Sequence, residues 1–532
     1  MATSTTENTA HQGAAEGEPS TSWDSSNALP EIATKKAAEI ELLAQCLCKN
    51  HTFTSRVPVP TPSWPDESAT PDKSRKNTTD ATGSSAPLEA VYCHCTSCRR
   101  STGGMYSVSV VWPGRIGDGH GEHQGQSDNF ASLKRYKRSE NSPATGLFCG
   151  TCSSLMFYEL VLPKSSEQSQ QTGCGQVVKH GVFLGCLSAY EIDSAGNRIG
   201  PVTGEEYTLI KPRDHLVVGD TVDGGATCWL RGWDRNEVKM WAGHRGVSEE
   251  FTQQSSTVNI NDKHEDRHNL HDQGHDQLQT QADQPGVGQQ DTALAQPEEG
   301  DSEQMPEYVH IKCHCEGVNL ALQTGKSRRE YLRKIDQKEK LPWFVNAKTG
   351  KPIGSIDGCD SCNVSSGSDL FCWTFAEVQY LSYASHSEFG SPVEAGPPEF
   401  PRDTIELKAA VEENMRRLQT LDSFSASDKR KEKGHPLGTL SLYKSSHDVQ
   451  RYFCSRCSAS IFYAWDDRPE MVDIAVGVVC SPDGMARAES TISWKFNGKV
   501  VWRDDILAPG SGRGWARGLV LAVEECTKEL RT

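Results

Sequence analysis

The chain has 532 residues, more than a single hydrophobic core usually serves, so more than one domain is expected. A formal net charge of −16, from 71 acidic against 55 basic residues, argues against a protein that wraps nucleic acid with a basic face. No apolar run approaches the length that spans a bilayer, so no membrane segment is expected.

The start, MATSTTENTAHQG, lacks the basic-then-apolar order of a secretory signal, and an intracellular protein, cytoplasmic or nuclear, is expected. In that reducing setting, clustered cysteines among the nineteen are more often metal ligands or reactive thiols than disulfides. Residues 1–38, rich in Ser, Thr, Ala, Glu and Gly, read as a disordered tail. A first domain is expected over 39–245. It opens with Cys46-Leu47-Cys48, and residues i and i+2 on a strand share a face, so the pair would offer two sulfurs to one ion. Cys149-Gly150-Thr151-Cys152 adds two more from a tight turn. Four thiolates at about 2.3 Å make a closed structural zinc site.

Between them stands Cys93-His94-Cys95-Thr96-Ser97-Cys98, three sulfurs with no fourth at a shared position. Three protein ligands and an open position suit a catalytic zinc, which holds an incoming thiol as thiolate or polarises a carbonyl oxygen. His94 would face away on a strand and reads as a spectator. Arg99 and Arg100 follow and are candidate substrate-binding residues, because paired guanidinium bonds suit a carboxylate. A solvated basic edge is the alternative reading of the two. Residues 105–112 alternate in part like a strand, and 180–187 read as a buried one.

Residues 246–306, rich in Gln, Asp and His without ligand spacing, read as a polar disordered linker. A second domain is expected over 307–515, opening on a strand at 308–313. Cys313-His314-Cys315 and Cys454-Ser455-Arg456-Cys457 repeat the four-thiolate set. The middle group becomes Asp357-Gly358-Cys359-Asp360-Ser361-Cys362, with Asp357 where Cys93 stood and Asn363-Val364 in place of the arginines. A carboxylate can ligate zinc but is a harder donor than a thiolate, so weakened or lost metal binding is expected there. Helix is expected at 404–421, as an insertion, and in the tail at 516–532; 471–479 reads as a buried strand. Tyrosine phrases, Leu133-Lys134-Arg135-Tyr136-Lys137 and Leu440-Ser441-Leu442-Tyr443-Lys444, precede the two late pairs. Shared order and shared flanks mark the halves as duplicates, both mainly β.

In these residues the chain resembles the glutathione-dependent formaldehyde-activating enzyme family, which includes centromere protein V, in two tandem copies. The shared pattern is C-x-C, then C-x-C-x-x-C, then a phenylalanine-led C-x-x-C. His215-Leu216-Val217-Val218-Gly219-Asp220 followed by Cys228-Trp229-Leu230 agrees as well. The resemblance implies small β-tent domains, a structural zinc in each four-cysteine set and a catalytic zinc at Cys93, Cys95 and Cys98. A fourth zinc would need Asp357, Cys359 and Cys362. The implied activity is of the carbon–sulfur lyase type, on glutathione or a similar thiol and formaldehyde or another small aldehyde, or on their adduct. Lys49-Asn50 departs from the glycine usual after the family's first pair, and Asp357 implies an inactive second copy. The alternative function is a zinc-stabilised interaction or scaffold protein whose disordered arms recruit protein partners.

Overall fold

The structure, a computed structural model, describes residues 37, 39–60, 86–113, 130–163, 176–233, 236–251, 306–384, 399–422, 435–494 and 499–529. The expected tail at 1–38 and linker at 246–306 fall almost wholly outside the described residues. Strand β1 (Glu39–Gln45) alternates buried Ile40, Leu42 and Ala44 with half-exposed neighbours, as a strand with one face on a core should. It pairs antiparallel with β2 (Thr52–Pro58) and β9 (Leu187–Ile192), and β10 (Arg198–Pro201) extends β9.

The larger sheet of this half uses β3 (Leu88–Cys93), β4 (Ser107–Val111), β5 (Lys134–Lys137), β6 (Ala144–Phe148), β7 (Leu155–Pro163), β8 (Gln176–Phe183), β11 (Ile210–Leu216) and β14 (Lys239–Met240). Its order is β14-β11-β3-β4-β8-β7-β6-β5, with β11 parallel to β3. A two-residue hairpin, β12 (Gly232–Trp233) and β13 (Asn236–Glu237), stands apart.

The second half lays out β15 (Val309–Lys312), β16 (Asn319–Leu322), β19 (Leu381–Tyr383) and β24 (Val479–Cys480) in one sheet. A second sheet holds β17 (Gly354–Asp357), β18 (Phe371–Glu377), β20 (Leu440–Lys444), β21 (Val449–Cys454), β22 (Ser460–Trp465) and β23 (Met471–Ala475). Its order, β17-β18-β23-β22-β21-β20, follows β3-β4-β8-β7-β6-β5 position for position. Parallel bridges from Ile353 to Ser493 and from Asp357 to Val501 run where β11 runs beside β3.

The runs 180–187 and 471–479 are not single strands. Each breaks into one 3-10 turn, Leu184–Cys186 after β8 and Val476–Val478 after β23. The glycine within each turn explains the break. Gly185 donates its N–H to the Gly367 carbonyl at 3.0 Å, and Gly477 donates to Gly103 at 2.8 Å. Gly103 and Gly367 close short helices, α1 (Thr96–Thr102) and α3 (Asp360–Ser366), in the left-handed conformation that glycine tolerates best. Thus the turn of each half docks on the helix end of the other. A Cβ at Gly185 would stand 2.1 Å from the Asn363 carbonyl, and one at Gly477 2.0 Å from that of Gly104. Gly185→Ala should therefore lower stability by about 1–3 kcal/mol, read as a lower urea midpoint. An unchanged midpoint would mean that the halves can part there at no loss.

One hydrophobic cluster runs from Ile40 through Leu184 and Val476 to Leu519 and Val523, and Ala37–Thr532 forms one compact unit. Trp515 Nε1 donates to the Leu187 carbonyl at 3.1 Å, and the Ala189 N–H to Gly512 at 2.8 Å, both across the halves.

Both expected helices are present, α4 (Thr404–Asp422) and α6 (Arg517–Glu529). Buried Leu407, Val411 and Asn414 stripe α4 at helical spacing, and Asn414 Nδ2 donates to the Gly438 and Leu440 carbonyls beside β20. Sequence reading misses α2 (Thr324–Asp336), whose run KSRREYLRKID looks like a solvated loop. Few apolar side chains anchor it, chiefly Tyr331, which is buried with its hydroxyl on Glu377 at 2.8 Å. A short helix, α5 (Asp504–Leu507), precedes α6. No described helix is long and apolar enough to cross a membrane.

Candidate metal centres

Among the described residues, four groups of side chains bring three or four possible ligand atoms within 4.8 Å of one another. Two are the four-cysteine sets. Their C-x-C pairs do not lie along strands, as the sequence suggested. Cys46 and Cys313 each follow the end of a strand, and the chain then turns back on itself. Lys49 donates its N–H to Cys46 at 2.9 Å and Glu316 to Cys313 at 3.1 Å, each with positive φ, 63° and 55°. That is the backbone state in which glycine is least strained, so a glycine preference at this place has a physical cause. The C-x-x-C pairs turn in the same way, through Ser153 at φ 60° and Ser458 at φ 67°.

The sulfurs meet at ligand spacing. Cys46 and Cys48 lie 3.5 Å apart, as do Cys48 and Cys149. In the second set Cys313 to Cys315 is 3.6 Å and Cys315 to Cys454 is 3.4 Å. A tetrahedron with zinc–sulfur bonds of about 2.3 Å has edges of about 3.8 Å, so both sets fit zinc. Backbone N–H groups face the sulfurs as they would face thiolates: His51 to Cys46 at 3.3 Å, Cys48 to Cys152 at 3.4 Å and Val318 to Cys313 at 3.3 Å.

The third group is Cys93, Cys95 and Cys98, and the fold gives each a different support. Cys93 ends β3, pinned between β4 and β11. Cys95 is the N-cap of α1, and its Sγ accepts the Cys98 N–H at 3.3 Å. Asp220 holds the helix start by accepting the Thr96 N–H at 2.5 Å. Cys93 and Cys95 sulfurs stand 3.6 Å apart. Hydrogen bonds from Cys93 and Cys95 hold the Cys98 thiol well below its ordinary value, and Arg138 and Ser107 act in the same sense. Only three ligands converge here among the described residues, where the sets above have four.

His94 points away from the sulfurs. It is fully buried, its Nε2 lies 2.9 Å from His215 Nδ1, and its ring packs on Tyr106. Burial, then the neighbouring His215, keeps His94 far below its ordinary pKa, and burial brings His215 to about 4. Arg99 lies inward with 7% exposure. Its Nε donates to the His94 carbonyl at 3.1 Å, and Nη2 donates to Thr96 Oγ1 at 3.0 Å and the Asp220 carbonyl at 3.4 Å. The guanidinium expected for substrate is thus used to brace the loop. Arg100 is half-exposed, and its carbonyl accepts the His314 N–H at 3.1 Å.

The fourth group is Asp357, Cys359 and Cys362. Asp357 ends β17 as Cys93 ends β3, and Cys359 precedes α3 as Cys95 precedes α1. Burial lifts the Asp357 carboxyl to about 7, and the Cys359 N–H donates to its Oδ1 at 2.7 Å. Arg451, buried on β21, donates from Nη1 to Cys362 Sγ at 3.4 Å and from Nε to Ser445 Oγ at 3.2 Å, with Tyr463 beneath its guanidinium.

Sequence reasoning missed Arg138 and Arg451, since each arginine comes to its sulfurs from a separate strand region. It also missed that each tyrosine phrase crosses to the other half. Tyr136 OH lies 2.6 Å from His314 Nδ1. Tyr443 is raised first by burial and then by the sulfurs of Cys152, Cys48, Cys46 and Cys149.

No curated protein and no solved structure gives a significant match to this chain. Residues 77–183, which carry β3, α1, the three-cysteine group and the pair Cys149 and Cys152, match the model of the family described as Glutathione-dependent formaldehyde-activating enzyme.

Proposed function

We propose that the chain is a carbon–sulfur lyase-type enzyme that joins a small aldehyde to a glutathione-like thiol, or splits their adduct, at Cys93, Cys95 and Cys98. The observation that carries this reading is three sulfurs converging at a strand–helix junction inside the segment that matches the formaldehyde-activating family. A zinc ion held there would keep a bound thiol as thiolate and polarise a carbonyl oxygen. The chain's own part is to fix the sulfurs while a fourth position stays exchangeable. Asp220 and the Cys95 cap set the helix start, and Arg99 ties the His94 loop to it. In the reaction the thiol gives up its proton, a carbon–sulfur bond forms at the carbonyl carbon, and the carbonyl oxygen takes up a proton. No oxidant or reductant is needed.

The four-cysteine sets are read as structural zinc sites, and 307–515 as a tandem copy of 39–245 whose triad has lost turnover. Matched strand orders and exchanged glycine contacts support the copy, and Arg451 seated on Cys362 supports the loss. Cysteine clusters at metal-ligand spacing suit a reducing compartment, the cytoplasm or nucleus.

The test follows labelled formaldehyde and glutathione by carbon NMR, on purified full-length protein with zinc measured on the same sample. At least three zinc ions per chain are expected. Adduct formation should exceed the spontaneous rate, stop on chelation and return with zinc. A spontaneous rate with every thiol tried, on protein holding three zinc ions, would leave the interaction-scaffold reading in its place.

A further inference from the structure

Arg99 is spent inside the fold, yet the three-cysteine site has a second guanidinium beside it. Arg138 follows β5 and is half-buried, and its Nε donates to Ser101 Oγ on α1 at 3.1 Å. Its two terminal nitrogens make no hydrogen bond to the described residues. Burial works against its charge, and the sulfurs of Cys98, Cys95 and Cys93 more than offset that effect. Arg451 in the second half is the contrast, since a terminal nitrogen there is already bonded to Cys362.

We propose that Arg138 is the carboxylate anchor that selects anionic thiols, and that the second half sets its position. This rests on the enzymatic reading of the Cys93, Cys95 and Cys98 site. A guanidinium with a free fork takes a carboxylate through two parallel N–H···O bonds, which a lysine ammonium cannot reproduce. Tyr136, two residues before Arg138, is held by His314 of the second half at 2.6 Å. Ser101, which holds the Arg138 Nε, has its carbonyl bonded by Ser458 Oγ at 3.4 Å, again from the second half. The Cys313-His314-Cys315 turn and the Cys454–Cys457 turn therefore form one side of the first half's site.

Calorimetric binding of glutathione and of uncharged 2-mercaptoethanol to the zinc-loaded full chain tests this. Arg138→Ala should weaken glutathione tenfold or more and 2-mercaptoethanol less than twofold. Arg138→Lys, which keeps the charge and loses the fork, should fall between wild type and Arg138→Ala. Tyr136→Phe should weaken glutathione a few-fold with the neutral thiol unmoved. Zinc content must stay at the wild-type value in each variant, which separates lost binding from lost folding. Equal weakening of both thiols would make Arg138 a charge balance for the sulfurs and overturn the proposal, as would unchanged glutathione binding. Unchanged binding in Tyr136→Phe would overturn the part given to the second half. A wild-type chain that binds neither thiol would remove the enzymatic reading itself, and this proposal with it.

Discussion

Cys149→Ser and Cys454→Ser should each destabilise both halves together, not one half alone. Structural zinc in small domains contributes about 10–16 kcal/mol of binding energy that is also folding energy. A whole domain is stable by only about 5–15 kcal/mol, so a closed site that loses a ligand removes a large fraction of the total. Coupling between the halves then spreads the damage. Gly185 and Gly477 bond across, Trp515 reaches Leu187, and the hydrophobic cluster is continuous. Thermal unfolding followed by circular dichroism, with zinc measured on the same sample, reads the outcome. One cooperative transition lowered by ten degrees or more, or soluble expression lost altogether, is the expected result. Two separate transitions, one of them at the wild-type temperature, would show that the halves fold independently.

Cys95→Ser should behave in the opposite way, keeping the fold and losing turnover by about a hundredfold or more. Cys95 caps α1 and, as proposed, ligates zinc. As N-cap it accepts the Cys98 N–H, and serine is among the residues that cap best, so α1 keeps its start. As a ligand, however, a hydroxyl is a far poorer partner for zinc than a thiolate. Loss of a group that merely orients a metal ligand already costs about 10–100-fold, and loss of the ligand itself should cost more. One zinc ion fewer per chain, an unchanged melting temperature and adduct formation at the spontaneous rate would bear this out. Turnover within threefold of wild type would move the chemistry away from these three sulfurs.

The cysteine clusters were legible because metal-ligand chemistry favours particular residue types at fixed short spacings, and that survives in the bare sequence. Asp357 in place of Cys93 was legible for the same reason, and the fold puts both at the end of matching strands. What escaped has physical causes. The C-x-C turns need positive φ at Lys49 and Glu316, a state that neither residue type announces. Helix α2 carries few apolar side chains among many charges, so its sequence shows little that must be buried. Glycines at 185 and 477 interrupt apolar runs and look like tolerated strand residues. Only their contact with a helix end from the other half explains them. Arg99 looked available because it adjoins the site in sequence, whereas Arg138 is forty residues from Cys98 in the chain and reaches it through the sheet.

The exchanged turns have a consequence for how such a protein can change over generations. An assembly of two identical chains receives every substitution twice, so a cysteine lost from one centre is lost from its mate. Here the matched centres lie on one polypeptide, and Asp357, Asn363 and Arg451 can accumulate around one without touching Cys93, Arg99 and Arg138 around the other. As the proposed altered copy, 307–515 would still not be dispensable, because Gly477 lies against Gly103 and Ser458 against Ser101. A centre free to drift would thereby be kept in place as the frame on which its counterpart is built.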